Sequence, residues 1–152
     1  MRKLFWLLFL LPTTALSCTG YVIGFKGLND RFDHKAFDSY SDKKGLCSKS
    51  FSWTDIGLAR KFVINTPVPY HLYGYSKGAE SIRQFLNYDI RKPDSVITIG
   101  AYRTTDVNFD RHNVQYVNYF DISGKGQTSP GIFVNVSHDK IQQKVNEIIW
   151  GQ

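Results

Sequence analysis

Gly74-Tyr75-Ser76-Lys77-Gly78 decides the fold of this chain, because it stands between two segments of different character. Residues 68–73 (VPYHLY) favour a β-strand, and residues 79–86 (AESIRQFL) place apolar side chains at helical spacing. The glycines on both sides of Ser76 permit a sharp turn from strand to helix, and such a turn lifts the serine hydroxyl out of the fold. The stretch therefore predicts a strand–turn–helix unit that presents Ser76 at the end of a strand.

The N-terminus has the composition of a signal peptide. Arg2 and Lys3 supply positive charge, and residues 4–11 form an apolar run that is too short to cross a bilayer. Ala15 and Ser17 are small residues of the kind that precede a cleavage site. We expect residues 1–17 to be removed and residues 18–152 to form one exported domain, either periplasmic or secreted.

Cys18 and Cys47 are the two cysteines of the chain, and Cys18 has two alternative fates. In the oxidising environment that exported proteins meet, the two thiols would form a disulfide. Residues 15–18 (ALSC) also resemble a bacterial lipobox, in which Cys18 would carry a lipid anchor. Both fates consume the same thiol and exclude each other, and the disulfide is the preferred prediction.

The composition restricts the partners of the protein. The formal net charge is +6, and it falls to about +4 without Arg2 and Lys3. The basic residues are scattered, and no helix-turn-helix, zinc-finger or RNA-binding signature is present, so we expect no nucleic-acid partner. Peripheral association with an acidic envelope or membrane surface stays open. No histidine is spaced to join the cysteines in a zinc site, and the sequence predicts neither a metal nor a cofactor.

Strand and helix patterns alternate along residues 18–152. This alternation predicts a small single-domain α/β fold with a mostly parallel sheet flanked by helices. Residues 31–50 are polar and predict an irregular surface excursion, and residues 52–55 have the capping-box pattern of a helix start. The predicted strands are residues 21–25, 68–73, 95–100, 114–120 and 131–136, with a loop as the alternative for the last. The last predicted helix, residues 138–150, has an apolar face of Ile141, Val145, Ile148 and Ile149.

Three side chains have the order needed for nucleophilic catalysis. A serine hydroxyl becomes reactive when a base takes its proton and a carboxylate orients that base. Ser76, Asp121 and His138 each follow a predicted strand, in the chain order of the α/β-hydrolase plan. We predict Ser76 as the nucleophile, His138 as the base and Asp121 as the carboxylate. The alternatives are Asp106 and Asp110 for the carboxylate, and His34, His71 and His112 for the base.

Four blocks of sequence stand in a recognisable order. They are residues 23–28 (IGFKGL), 73–79 (YGYSKGA), 96–103 (VITIGAYR) followed by Asn108-Phe109, and 116–122 (YVNYFDI). Together they resemble the oxyanion, elbow, Thr-Phe-Gly-x-Pro-Arg and aspartate blocks of the class 3 lipases of the α/β-hydrolase superfamily. The resemblance implies an α/β-hydrolase. Most class 3 lipases are longer and carry a helical lid, for which residues 18–152 leave little room, so we expect a small α/β-hydrolase without an evident lid. The resemblance also favours Asp121 over Asp106, because the fourth block carries the triad aspartate of that family.

An oxyanion needs backbone N–H donors that are fixed in advance. Lys77 follows the nucleophile at a helix N-terminus, so its N–H is one predicted donor. The loop after the first strand supplies the other, from Phe25 to Leu28. Leu28 stands where the family has Ser or Thr and keeps the N–H alone. The alternative is therefore a weaker or differently placed oxyanion hole, in which the N–H of Phe25 or Lys26 replaces that of Leu28. The Lys77 charge predicts either a preference for acidic or zwitterionic substrates or a side chain that points to solvent.

The sequence therefore predicts an exported serine esterase or lipase that acts on a carboxylic ester or lipid through an acyl-enzyme. The alternative is a catalytically weak or inactive hydrolase-fold factor that works by binding in the envelope, which the short chain and the Leu28 departure favour. A third reading keeps the catalytic machinery but directs it at thioesters or amides.

Overall fold

A sheet of six parallel strands forms the centre of the computed structural model, which describes residues 18–86, 89–101, 114–124 and 131–151. The strands are β1 Tyr21–Phe25, β2 Cys47–Phe51, β3 Tyr70–Tyr75, β4 Ser95–Ile99, β5 Gln115–Phe120 and β6 Ile132–Phe133. The helices are α1 His34–Lys43, α2 Ile56–Asn65, α3 Lys77–Leu86 and α4 Ile141–Trp150. Every strand pair in the order β2-β1-β3-β4-β5-β6 is parallel, which confirms the predicted α/β class.

Several sequence predictions fall on residues that the structure does not describe. The signal peptide predicted for residues 1–17 is among them, and so are Asp106, Asp110 and His112. These predictions stand as they were made.

Helices cover both faces of the sheet, and a separate apolar core lies on each face. Neighbouring residues of a strand point to opposite faces. Tyr73 therefore packs in one core with residues of α1 and α4, and Leu72 packs in the other with residues of α2 and α3. Phe37 and Val145 are buried in the first core, and Phe85 in the second.

Residues 31–50 are not the irregular excursion that their polarity predicts, since they contain α1 and most of β2. Asp33 caps α1 by accepting a hydrogen bond from the Ala36 N–H at 3.0 Å. Ala36, Phe37 and Tyr40 then form a buried stripe along the helix. The charged residues of this segment lie mostly on the solvent side, so a high average polarity concealed a narrow apolar face.

Two predicted helices differ in detail from those in the structure. Helix α2 begins at Ile56, after the predicted capping box, because Ser52 Oγ faces Thr54 Oγ1 at 3.3 Å instead of capping a backbone N–H. Helix α4 buries Ile141 as predicted but leaves Ile148 48% exposed. The apolar face of α4 is therefore narrower than its composition indicates.

The strand order predicts a crevice at the carboxyl edge of the sheet. The chain leaves β1 for β2 on one side, and it leaves β3 for β4 on the other side. Open parallel sheets bind ligands where connections diverge in this way. The loops that follow β1 and β3 therefore lie next to each other at this edge, and the turn after β3 contains Ser76.

A disulfide joins Cys18, which precedes β1, to Cys47, the first residue of β2. This confirms the predicted pairing and uses the thiol that a lipid anchor would require. A disulfide is consistent with an exported protein. Across the described ranges, no helix has the length and apolar character needed to cross a membrane.

Candidate active site

Ser76 occupies the sharp turn that its flanking glycines predict. It lies between the last residue of β3 and the first residue of α3, and its backbone φ is 54°, in the left-handed region. A residue with a side chain adopts this conformation at a cost of about 1–3 kcal/mol, which the surrounding structure has to offset. The Ser76 N–H donates to the Ile99 carbonyl at 2.9 Å and anchors the turn to β4.

Two glycines allow α3 to approach the sheet closely enough to form this turn. A Cβ at Gly78 would lie 2.1 Å from the Phe25 carbonyl oxygen, so the backbone of α3 rests directly on the end of β1. A Cβ at Gly74 would lie 2.8 Å from Ala79 Cα. The spacing of the motif is thus explained by backbone packing, which admits no side chain at either position.

The structure brings Ser76, His138 and Asp121 together. His138 Nε2 lies 2.8 Å from Ser76 Oγ, and His138 Nδ1 lies 2.6 Å from Asp121 Oδ2. A neutral imidazole with its proton on Nδ1 donates to the carboxylate and accepts from the serine hydroxyl. Ser76 is 6% exposed and the Asp121 side chain 1%, whereas the His138 side chain is 23% exposed and reaches the crevice.

The second oxygen of the Asp121 carboxylate is also occupied. Asp121 Oδ1 accepts from the Ser123 N–H at 2.8 Å and from the Ser123 hydroxyl. A buried carboxylate needs such donors to offset its lost hydration. The sequence reasoning missed Ser123, although a Ser two residues after an Asp is typical of an Asx-turn and could have indicated it.

Two further residues enclose the His138 imidazole. The Tyr75 ring stacks on it, with ring centroids 5.1 Å apart and planes inclined by 24°. Gly100 has φ 69°, and a Cβ there would lie 3.0 Å from His138 Cε1 and 3.1 Å from Asp121 Oδ2. Sequence reasoning assigned neither residue to the site, because their proximity to His138 depends on the register of the sheet.

Backbone N–H groups suited to an oxyanion lie next to Ser76. A Cβ at Gly27 would lie 3.2 Å from Ser76 Cβ, so the loop after β1 contacts the nucleophile turn. Lys77 begins α3, and the first N–H of a helix has no intrahelical acceptor. The Lys77 N–H is therefore oriented by a helix start, and Leu28 lies in the adjacent loop, which turns back through Asn29 and Asp30 with positive φ.

The other two predicted donors are less suitable. The Lys26 N–H donates to the Phe51 carbonyl at 2.9 Å, and the adjacent Gly27 N–H donates to the Arg31 carbonyl at 2.9 Å. Phe25 is the last residue of β1 and pairs on both sides, with Phe51 and with Gly74. This arrangement favours Leu28 over Phe25 and Lys26 as the partner of Lys77.

The Lys77 ammonium is occupied within the protein. Lys77 Nζ lies 2.7 Å from Glu80 Oε2 and 5.4 Å from the centre of the Trp53 ring. The adjacent carboxylate balances the lysine charge, so the preference for acidic substrates considered from the sequence has no support in this geometry.

The alternative bases among the described residues lie elsewhere. His71 Nδ1 is 2.6 Å from Ser95 Oγ, but both residues lie near the amino ends of their strands, opposite Ser76. Burial, and then the charge of Lys44, lower the pKa of His71. His34 is exposed at the start of α1.

Comparisons with protein-family models, with curated proteins and with solved structures found no match for this chain. The resemblance to class 3 lipases stays a prediction from the sequence. The functional assignment therefore depends on the geometry at the carboxyl edge of the sheet.

Proposed function

We propose that this protein is an exported serine hydrolase that cleaves carboxylic esters through an acyl-enzyme intermediate. The observation that carries the proposal is the continuous hydrogen-bonded series Ser76–His138–Asp121, with distances of 2.8 and 2.6 Å. A nucleophile, a base and a carboxylate that orients the base are the parts that this chemistry requires. Ser76 lies at a strained turn, on the edge where open parallel sheets bind ligands.

In the proposed reaction Ser76 Oγ attacks the carbonyl carbon while its proton passes to His138 Nε2. The Asp121 carboxylate stabilises the imidazolium that forms, and the N–H groups of Lys77 and Leu28 stabilise the negative carbonyl oxygen. His138 then gives its proton to the leaving alcohol as the ester bond breaks. Water, deprotonated by His138, attacks the acyl-enzyme; the acid leaves and the proton returns to Ser76 Oγ.

The surroundings of Ser76 favour an ester or lipid with an apolar group. Leu28, after β1, is 54% exposed, and Ile122, after β5, is 50% exposed. The strand order puts these two residues on opposite sides of the turn that holds Ser76. Because each side chain is already about half buried, covering it with a substrate contributes about 1 kcal/mol, roughly half of the value for full burial. Thioesters share the electrophilic carbonyl and are a second substrate class to assay.

Covalent labelling tests the proposal. A tagged fluorophosphonate phosphonylates an activated serine with loss of fluoride, so we expect one label per molecule, at Ser76, in the wild-type protein. Ser76→Ala should lose the label and nearly all esterase activity, with a residual rate of about 10³–10⁴ over water from the remaining site. Thermal unfolding of this variant checks that the loss does not come from unfolding.

Ser95→Ala is the matched control, because Ser95 Oγ also lies 2.6 Å from a histidine nitrogen but at the other edge of the sheet. We expect this variant to label and turn over like the wild type. Label on Ser95, or undiminished ester turnover by Ser76→Ala, would contradict the assignment. A folded wild-type protein that takes no label would instead favour the hydrolase-fold binding factor.

A further inference from the structure

We propose that Tyr75 is a positioning residue, whose ring holds the His138 imidazole in line with both Ser76 Oγ and Asp121 Oδ2. The inference rests on the proposed function and adds a residue to it. Tyr75 immediately precedes Ser76 in the chain, yet both its ring and its hydroxyl contact the base.

Tyr75 holds His138 by two separate contacts. Its ring stacks on the imidazole at a centroid distance of 5.1 Å, and its hydroxyl donates to the His138 backbone carbonyl at 2.8 Å. The first contact restrains the plane of the ring and the second restrains the loop that carries it. One residue therefore restrains both the side chain and the backbone of the base.

Tyr75 is itself rigid. It is 5% exposed, and its hydroxyl is engaged at the far end of the side chain. Its ring also lies beside Phe32, with centroids 6.4 Å apart, and a Cβ at Gly27 would lie 3.3 Å from its Cδ1. Side chains packed in this way sit in rotamer minima and have little space to move. The imidazole therefore stacks on a side chain that is part of the buried core.

His138 needs this support because of its own position. It lies in the connection between β6 and α4, and its side chain is 23% exposed. The ring has to direct Nε2 at Ser76 and Nδ1 at Asp121 at the same time, and a small rotation breaks both alignments. Tyr75 packs on the face of the ring, while the backbone at Gly100 comes close to its Cε1 edge.

The stacked ring also suits the charge that develops during the reaction. When His138 takes the serine proton, it becomes a cation beside the electron-rich face of Tyr75, which is a favourable arrangement. Tyr75 and Ser76 are consecutive residues, at the end of β3 and in the turn that follows it. The residue that gives the proton, Ser76, and the residue that supports its acceptor, Tyr75, therefore lie side by side in one short segment.

Two substitutions separate the ring from the hydroxyl. Tyr75→Leu removes both contacts, and we expect kcat to fall about 100-fold while KM changes by less than about twofold, since misplaced groups affect the reacting geometry. Tyr75→Phe keeps the ring and loses one hydrogen bond, so its kcat should stay within about fivefold of the wild type. A kcat that is retained in Tyr75→Phe and lost in Tyr75→Leu would indicate that the ring, and not the hydroxyl, positions His138.

A second measurement does not depend on turnover. The Nδ1 proton between His138 and Asp121 should give a downfield imidazole resonance in the proton NMR spectrum, assigned by its loss in His138→Gln. We expect Tyr75→Phe to retain this resonance and Tyr75→Leu to lose or broaden it. Should Tyr75→Leu fail to fold, Tyr75→Met fills the space with a flexible chain that has no ring plane, and it carries the same expectations.

Tyr73→Leu is the matched control for lost aromatic volume. Tyr73 lies two residues earlier on the same face of β3 and contacts Phe37 and Tyr40. We expect it to lose stability but to keep kcat and the downfield resonance.

Wild-type kcat and resonance in Tyr75→Leu, or an equal loss in Tyr75→Phe, would overturn the role of the ring. Failure of the proposed function looks different, because wild-type protein would then show the resonance without label or turnover.

Discussion

Asp121→Asn offers the sharpest perturbation of the site, because its consequence follows from hydrogen-bond donors that the structure places. Asp121 Oδ1 accepts from both the N–H and the hydroxyl of Ser123, and Oδ2 accepts from His138 Nδ1. An asparagine has one oxygen and one NH₂ group for these two positions. Because both Ser123 groups are donors, the asparagine oxygen would take the position of Oδ1, and the NH₂ group would face His138 Nδ1.

The imidazole would then have to accept at Nδ1, and its proton would move to Nε2. In that tautomer Nε2 cannot take the proton of Ser76, which it faces at 2.8 Å. A wrong tautomer in an otherwise intact triad lowers kcat about 10⁴-fold, or about 5 kcal/mol of transition-state stabilisation. Because the two amino acids have nearly the same shape, the folded structure should survive and KM should change little.

The assay is ester hydrolysis under saturating substrate, with thermal unfolding to confirm the fold. Asp139→Asn is the matched control, since Asp139 follows His138 in the chain but is exposed and accepts from Ser137 Oγ at 2.6 Å. We expect this control to stay within about twofold of the wild type. An Asp121→Asn variant that keeps more than a tenth of wild-type kcat would refute the tautomer reasoning.

Three further predictions address the support of the site and the fold. Ser123→Ala removes one of the two donors to Asp121 Oδ1, and kcat should fall about fivefold in the same assay, with Ser123→Thr restoring it. Replacing Cys18 and Cys47 with alanine opens a link across 29 residues, and the free energy of unfolding in urea should fall by about 3–4 kcal/mol. Because burial lowers the pKa of His71 in the folded state, the unfolded chain binds more protons near the ordinary histidine pKa, and stability should decline as the pH falls through that range. His71→Asn should flatten this decline in urea titrations between about pH 7 and pH 5, and an unchanged slope would contradict it.

The sheet could be predicted where its strands are buried on both faces. Residues 21–25 and 95–99 are continuous β-favouring runs, and such runs are typical of central parallel strands. The strand order could not be read from these runs, because every buried strand has the same apolar character. The edge strand β2, with the sequence CSKSF, has little apolar character and was hidden in a polar segment.

The residues of the site differ in how far sequence could reveal them. Ser76 stands in a local motif, and Asp121 and His138 could be placed by chain order alone. The contributions of Tyr75 and Ser123 could not, because they act through neighbours rather than through any reactive group of their own. A tyrosine in a strand and a serine after an aspartate are common, and their meaning here comes from the positions of His138 and the Asp121 carboxylate.

The contact between Gly78 and the Phe25 carbonyl determines where this protein can change during evolution. Any other residue at position 78 would put a carbon atom 2.1 Å from that oxygen. A single substitution there therefore cannot alter the packing of α3 on β1 beneath Ser76. New substrate preferences would have to arise at the edge of the site, where Leu28 and Ile122 are about half exposed and replacement disturbs less packing. We therefore expect related sequences to keep glycine at position 78 and to differ at positions 28 and 122.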